Sequence, residues 1–239
     1  MALGTDPGAL PDPAHKRVAV RAMFDRIAPR YDAMNRLLTV GLDQLWRRRA
    51  LAAVGVGAGD FVIDLACGTG DMAEQAAGRG ARVLGADFAG AMLRGARRRG
   101  IGASWVQADA EALPLPDACA SVVCSGFALR NFDDLGRVFD ECARVLEPGG
   151  RLALLDVDRP ERGWLRRAHS LYFDRVVPRV GGWLSDRAAY AYLPRSTVYL
   201  PPARELRARI EAAGFDGVEH RSLGLGAVQI LCGVRRRTS

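Results

Sequence analysis

Lysine is almost missing from this chain: of 34 basic residues, Lys16 is the single lysine and all the others are arginine. So lopsided an arginine usage reads as GC-rich coding as much as a phosphate-binding surface, and the net charge of +7 does not by itself specify a nucleic-acid partner. Paired cysteines are missing too. The five cysteines, at positions 67, 119, 124, 142 and 232, form no CxxC pair and are odd in number. That argues against a disulfide framework or a zinc ribbon, and makes a reducing cytosol the expected setting. No His/Cys cluster has metal-ligand spacing, so no metal is expected. No apolar run approaches the ~18 residues of a membrane-spanning helix. The opening MALGTDPGALPDPA has neither the basic nor the apolar region of a secretory signal. What is present is 239 residues, 49% hydrophobic and 26% charged, enough for one ordinary globular domain with a substantial core.

Residues 1–14 are rich in Pro, Gly and Asp and read as a disordered tail, leaving 15–239 as a single domain. From 15 to about 54 the apolar residues recur at helical spacing, and Pro29 and Gly41 divide this front into two or three short helices. Short apolar runs then alternate with helical stretches. Strands are expected at Phe61–Ala66, Arg82–Ala86, Ser104–Ala108, Ser121–Ser125 and Arg151–Val157, with helices at Gly70–Gly78, Ala89–Arg99 and Asp133–Leu146. Such alternation predicts a parallel sheet covered on both faces. Gly214–Leu223 and Ala227–Val234, separated by three residues, read as an antiparallel edge hairpin. Between the fifth strand and that hairpin lie 44 residues, 159–202, holding 7 of the 17 aromatics: Trp164, Tyr172, Phe173, Trp183, Tyr190, Tyr192 and Tyr199. A plain crossover needs only a dozen or so residues. The extra length reads either as a lid or substrate-lining insertion, or as a second layer packed on the core.

The segment Asp64-Leu-Ala-Cys-Gly-Thr-Gly-Asp71 follows a strand and opens a helix. Gly68 and Gly70 allow a tight turn and close approach of a ligand. A lone GxG is weak, and Gly68-x-Gly70-x-x-Ala73 also fits a dinucleotide fingerprint. Three acids shift the balance: Asp64 before the turn, Asp87 ending the second strand and Asp109 ending the third. Acids at three successive strand ends suit a cationic, hydroxyl-rich ligand. S-adenosylmethionine, with its sulfonium, amino group and ribose, fits them better than a pyrophosphate. Tyr31, Asp32 and Asn35 fall on neighbouring parts of one helix and can close over such a cofactor, or serve as caps and structural hydrogen bonds.

At this point the chain resembles a known family. DLACGTGD and the Pro148-Gly149-Gly150 turn resemble the class I methyltransferases, which implies a Rossmann-like, seven-stranded, mostly parallel sheet with an antiparallel C-terminal hairpin. More specifically the chain is similar to the ubiquinone/menaquinone biosynthesis C-methyltransferases. The matching segments are 24–46, ADAEALPLPD, GFALRN at 126–131, RVLEPGGRL, and YFDRVVPRVGGWLSDRAAYAYLPRST, so the likeness covers roughly 18–237. The resemblance implies methylation of a demethylated quinol of the demethylmenaquinol type. It implies a cofactor site of Asp64, Gly68, Thr69, Gly70, Asp87, Phe88, Asp109, Ala110 and Ser125. Arg130, beside Asn131, would supply a positive field for loss of a hydroxyl proton, or hold the water that takes it. Tyr31 and Asp32 complete the candidate catalytic set, with His169 as a further candidate base. His15 reads as tail and His220 as solvent-facing.

The chain departs from the family pattern at Thr39, Asp43, Glu147, Asp156 and Asp158, where Ser, His, Lys, Glu and Ser are usual. These changes motivate a rival, a paralogue acting on another aromatic or polyketide-like molecule. A nucleic-acid methyltransferase is a remoter rival, since no binding module is appended and no NPPY-type motif occurs. A ligand-binding module without activity is another. A lipophilic quinol would bring the insertion's aromatics, rimmed by Arg166, Arg167, Arg175 and Arg179, to an anionic membrane surface. The expected location is therefore cytoplasmic with peripheral contact at the inner face, and a homodimer is admitted.

Overall fold

In a computed structural model, residues 15–158, 192 and 195–237 are described. The tail 1–14 lies outside them. So do His169, five of the insertion's aromatics (Trp164, Tyr172, Phe173, Trp183 and Tyr190) and Arg166, Arg167, Arg175 and Arg179.

Seven strands form the sheet: β1 Phe61–Leu65, β2 Arg82–Asp87, β3 Ser104–Gln107, β4 Ala120–Gly126, β5 Leu146–Val157, β6 Phe215–Leu223 and β7 Val228–Arg235. Their order is β3-β2-β1-β4-β5-β7-β6. β1 pairs in parallel with β2 and β4, β2 with β3, and β4 with β5, while β7 is antiparallel to both β5 and β6. The helical front becomes α1 Lys16–Ile27, α2 Tyr31–Thr39 and α3 Leu42–Ala53, divided at Pro29 and Gly41. Helices α4 Asp71–Ala77, α5 Gly90–Arg98 and α6 Leu135–Val145 follow β1, β2 and β4. The mixed sheet with its terminal hairpin is the one the alternation predicts.

Side-chain parity divides the core. Ile63, Leu65, Val123, Leu152 and Leu154 pack on one face against Phe139 and Cys142 of α6. Val62, Val122, Cys124, Ala153 and Leu155 pack on the other against Ala50 and Leu51 of α3 and Met72, Ala73 and Ala76 of α4. Strands buried on both faces read as continuous apolar runs for this reason. A third, smaller cluster joins Val20, Met23 and Ile27 of α1 to Ala89 and Met92 at the start of α5, and to Tyr192.

Three details differ from the sequence reading. A helix α7, Ala203–Ala212, precedes β6 and seats Leu206 and Ile210 one turn apart on the first cluster. β5 starts at Leu146 rather than Arg151: Leu146 pairs with Ala120 before the Pro-Gly-Gly segment, and pairing resumes at Arg151 with Val122. His220 does not simply face solvent; its Nε2 lies 3.5 Å from an Asp158 carboxylate oxygen, and the side chain is mostly covered.

Candidate active site

The C-terminal ends of β1, β2, β3 and β4 lie side by side, where open α/β sheets hold their ligands. After β1 the chain turns sharply, with Ala66 at φ +53°, Gly68 at +57° and Gly70 at +89°. The second strand's acid fastens this turn. One Asp87 carboxylate oxygen accepts the Gly68 N–H at 2.8 Å and the other accepts the Ala89 N–H at 2.8 Å, tying the glycine turn to the entry of α5. Burial pushes Asp87 up to about 6, although those backbone donors favour its charged form.

Asp109, beyond β3, accepts from the Glu111 N–H at 3.1 Å and pairs with Arg17 of α1. At the end of β4, Phe127 sits in the left-handed region, φ +64°. Its N–H reaches the Leu155 carbonyl at 2.6 Å, and its own carbonyl accepts from the Arg130 guanidinium at 2.9 Å. Together these ends enclose a cavity of about 740 Å³, part of it open to solvent, a size suited to a nucleoside-sized ligand and a second small molecule.

Of the residues singled out in the sequence, Tyr31, Gly68, Asp87, Phe88, Asp109, Ala110 and Asn131 line this cavity. The Asn131 side-chain oxygen accepts from the Tyr192 hydroxyl at 3.2 Å. The remaining described ones lie behind the wall. Asp64, 1% exposed, shares its face of β1 with Val62, and it accepts the Ala73 N–H of α4 at 2.9 Å. Burial drives its carboxyl up to about 7, against the charge of Arg47 and that backbone bond. Thr69 gives its hydroxyl to Asp32, whose carboxyl is raised by burial. A Cβ on Gly70 would come within 2.7 Å of the Trp105 ring, so this glycine serves helix–strand packing rather than a ligand. The Ser125 hydroxyl donates to the Leu65 carbonyl at 2.7 Å. Arg130 is buried, paired with Asp156 and 3.2 Å from the Ser196 hydroxyl. Asp156, fully buried in that pair, and Asp158, beside His220, are not part of the cavity lining.

Phe24, Phe127, Phe132, Arg17, Glu111 and Asp133 line the cavity without having been named from sequence. Phe127 stood inside the flagged GFALRN segment. Nothing in its residue type announces a left-handed backbone, which is rare for an aromatic.

With this geometry in view, the profile of the ubiE/COQ5 methyltransferase family matches residues 13–235. The chain belongs to this family. Among relatives of this methyltransferase, demethylmenaquinone methyltransferase of Thermus thermophilus is 44% identical over 220 residues, 89% of this chain and 100% of its own. The enzyme of the same name from Clavibacter sepedonicus is 40% identical over 228 residues, 94% of this chain and 93% of its own. A solved structure of an S-adenosylmethionine-dependent methyltransferase from Thermotoga maritima, a possible histamine N-methyltransferase, superposes with a TM-score of 0.65 at 20% identity. It covers 90% of this chain and 99% of its own. At that identity the superposition establishes the fold alone.

Proposed function

We propose that this methyltransferase C-methylates a demethylated quinol of the demethylmenaquinol type, with S-adenosylmethionine as donor. The observation that carries the reading is end-to-end likeness: the Thermus thermophilus demethylmenaquinone methyltransferase is matched over 100% of its length at 44% identity. The cavity fits such a donor on its own chemistry. It offers Asp87 and Asp109 from neighbouring strand ends, with Glu111 and Asp133 as further lining carboxylates, and a glycine at 68 whose missing Cβ would otherwise point towards the Tyr31 ring at 3.9 Å.

In this reading Asp87 accepts the ribose hydroxyls with the lone pairs that Gly68 and Ala89 leave free. Phe88, Asp109 and Ala110 border the adenine. Asp64, Thr69, Gly70 and Ser125 hold the turn that makes this possible, and Asp32 fixes Thr69. The bound donor supplies an electrophilic methyl group on a sulfonium. The protein then has to orient the acceptor ring, keep water out and ease loss of a hydroxyl proton, whose pKa is near ~10 by analogy with Tyr. Asn131, oriented by Tyr192, and Tyr31 do the orienting. Arg130 shares its charge with Asp156, so it acts by holding Phe127 and Asn131 in place rather than as an isolated field.

No described helix is long and apolar enough to cross a membrane, and access to a lipophilic quinol falls to peripheral contact from the cytoplasmic side. A homodimer is compatible with this arrangement. Flotation with anionic vesicles tests the contact, and a protein left at the bottom of the gradient removes it. The rival acceptor class gains no support, since Asp43, Asp156 and Asp158, which motivated it, are none of them part of the cavity lining. The deciding assay offers S-adenosylmethionine with a short-chain demethylmenaquinol or with soluble phenols, and follows the methylated product by mass. Turnover of phenols with none of the quinol would overturn the assignment.

A further inference from the structure

Arg47 of α3 is buried, its side chain 6% exposed, and its Nε, sealed from solvent, has no hydrogen-bond acceptor among the described residues. Two carboxylates stand near, Asp43 at 3.8 Å and Asp71 at 4.0 Å, beyond hydrogen-bond length. Both are already served by others: Asp43 by the Thr39 hydroxyl at 2.8 Å and Gln44 at 3.0 Å, and Asp71 by Arg99 at 2.7 Å, Arg36 at 3.1 Å and Gln44 at 3.0 Å. A guanidinium presents five donors in a planar fork, and burying it without acceptors is costly. Proteins retain such a group where a ligand supplies the acceptors.

The guanidinium packs directly behind two residues of the cavity lining, Gly126 and Phe127. Its carbon is 5.0 Å from the centre of the Phe127 ring, and a Cβ on Gly126 would come within 2.6 Å of one terminal nitrogen. Gly126 and Phe127 both line the cavity. The glycine thus keeps open the space through which the fork reaches the wall. Arg47 is also the strongest charge opposing the burial-driven rise of the Tyr31 phenol, another lining group. The carboxylates Asp87 and Asp109 belong to the ends of β2 and β3, whereas Gly126 and Phe127 follow β4, with β1 between. Three strand spacings separate β3 from β4, ~14 Å, so Arg47, with Asp43 and Asp71 within 4.0 Å, stands behind the end of the cavity away from Asp109.

We propose that Arg47 is the anion-binding residue of this cavity and takes the α-carboxylate at the amino-acid end of S-adenosylmethionine. The inference rests on the cofactor reading above and adds to it one residue, at the amino-acid end. A carboxylate matches the planar fork, and gives acceptors to a guanidinium whose Nε has none among the described residues.

Calorimetric titration of S-adenosylhomocysteine and of 5′-methylthioadenosine, which lacks the amino-acid end, tests it on wild type, Arg47→Met and Arg47→Lys. The expected result is a loss of roughly tenfold to a hundredfold in S-adenosylhomocysteine affinity for Arg47→Met. 5′-Methylthioadenosine affinity should stay unchanged, and Arg47→Lys should recover part of the loss. Equal losses for both ligands would make Arg47 a structural residue. Unchanged affinity for S-adenosylhomocysteine would assign its charge to something else, such as the acceptor's ionised hydroxyl. Either result overturns the proposal. Should Arg47→Met not fold, the Lys variant carries the same comparison between the two ligands. Wild type binding neither ligand would instead remove the cofactor reading itself.

Discussion

Asp64 and Asp87 carry the same carboxyl at the ends of adjacent strands, and burial acts on both, with different consequences. Asp64 rises from 3.8 to about 7 because it lies under the glycine turn among apolar side chains. Between the unfolded value and about 7 the folded protein keeps a proton that the unfolded chain has lost, so this group's contribution to stability declines as pH rises through that window. Asp64→Asn keeps an acceptor for the Ala73 N–H and removes the titration. The variant should gain thermal stability relative to wild type on going from pH 5 to pH 9; parallel melting curves across that range would refute it. Asp87 rises only to about 6, and it lines the cavity. Protonation there weakens the acceptor that Gly68, Ala89 and a ribose share. S-adenosylhomocysteine affinity should therefore be flat above about pH 7 and fall as pH drops through about 6. In Asp87→Asn that fall should vanish and affinity be lower throughout. An unchanged pH profile in the variant would show that another group titrates. The sequence made the type and spacing of these acids legible. Which way each points depends on strand parity, and the motif alone does not carry it.

The segment from Phe127 to Asn131 shows how an element is built for its site. A left-handed aromatic costs about 1–3 kcal/mol, and Arg130 offsets this by holding the Phe127 carbonyl while pairing with Asp156 across the β4–β5 boundary. Removing one partner of a buried pair leaves an uncompensated charge, typically ~3–5 kcal/mol. Asp156→Ala should therefore lower the melting temperature by roughly 6–20 °C, at ~2–4 °C per kcal/mol for a chain of this size. A change within a degree or two would show the pair to be ornamental. Elements whose apolar residues repeat regularly, β1 to β5 and α4 to α6, were legible because both sheet faces are covered. α7 escaped notice because only Leu206 and Ile210 are buried in a decapeptide whose other residues are charged or alanine. The early start of β5 was hidden by Pro148-Gly149-Gly150, which reads as a turn although pairing exists on both sides of it.

Across the whole molecule, the two large clusters belong to the sheet, while α1 has a small cluster of its own with Ala89, Met92 and Tyr192. It is held besides by Lys16 donating to the Phe132 carbonyl at 2.6 Å, by Asp25 accepting the Ala91 N–H at 2.8 Å, and by the exposed Arg17–Asp109 pair. A helix fastened by a small cluster of its own and a few polar contacts, apart from the two large clusters of the sheet, can open without unfolding the sheet. Arg17 and Phe24 of the same helix line the cavity, so a ligand in the cavity binds the closed state in preference to the open one. Linkage then fixes the size of the effect: at a hundredfold excess over Kd, a ligand that requires closure suppresses opening by about 2.7 kcal/mol, roughly a hundredfold. In native-state hydrogen exchange, α1 amides should exchange faster than those of β1 and β4 in the free enzyme, and slow by about that factor with saturating S-adenosylhomocysteine. If α1 were already as protected as the central strands, or gained nothing from ligand, the helix would be part of the rigid scaffold and entry to the cavity would lie elsewhere.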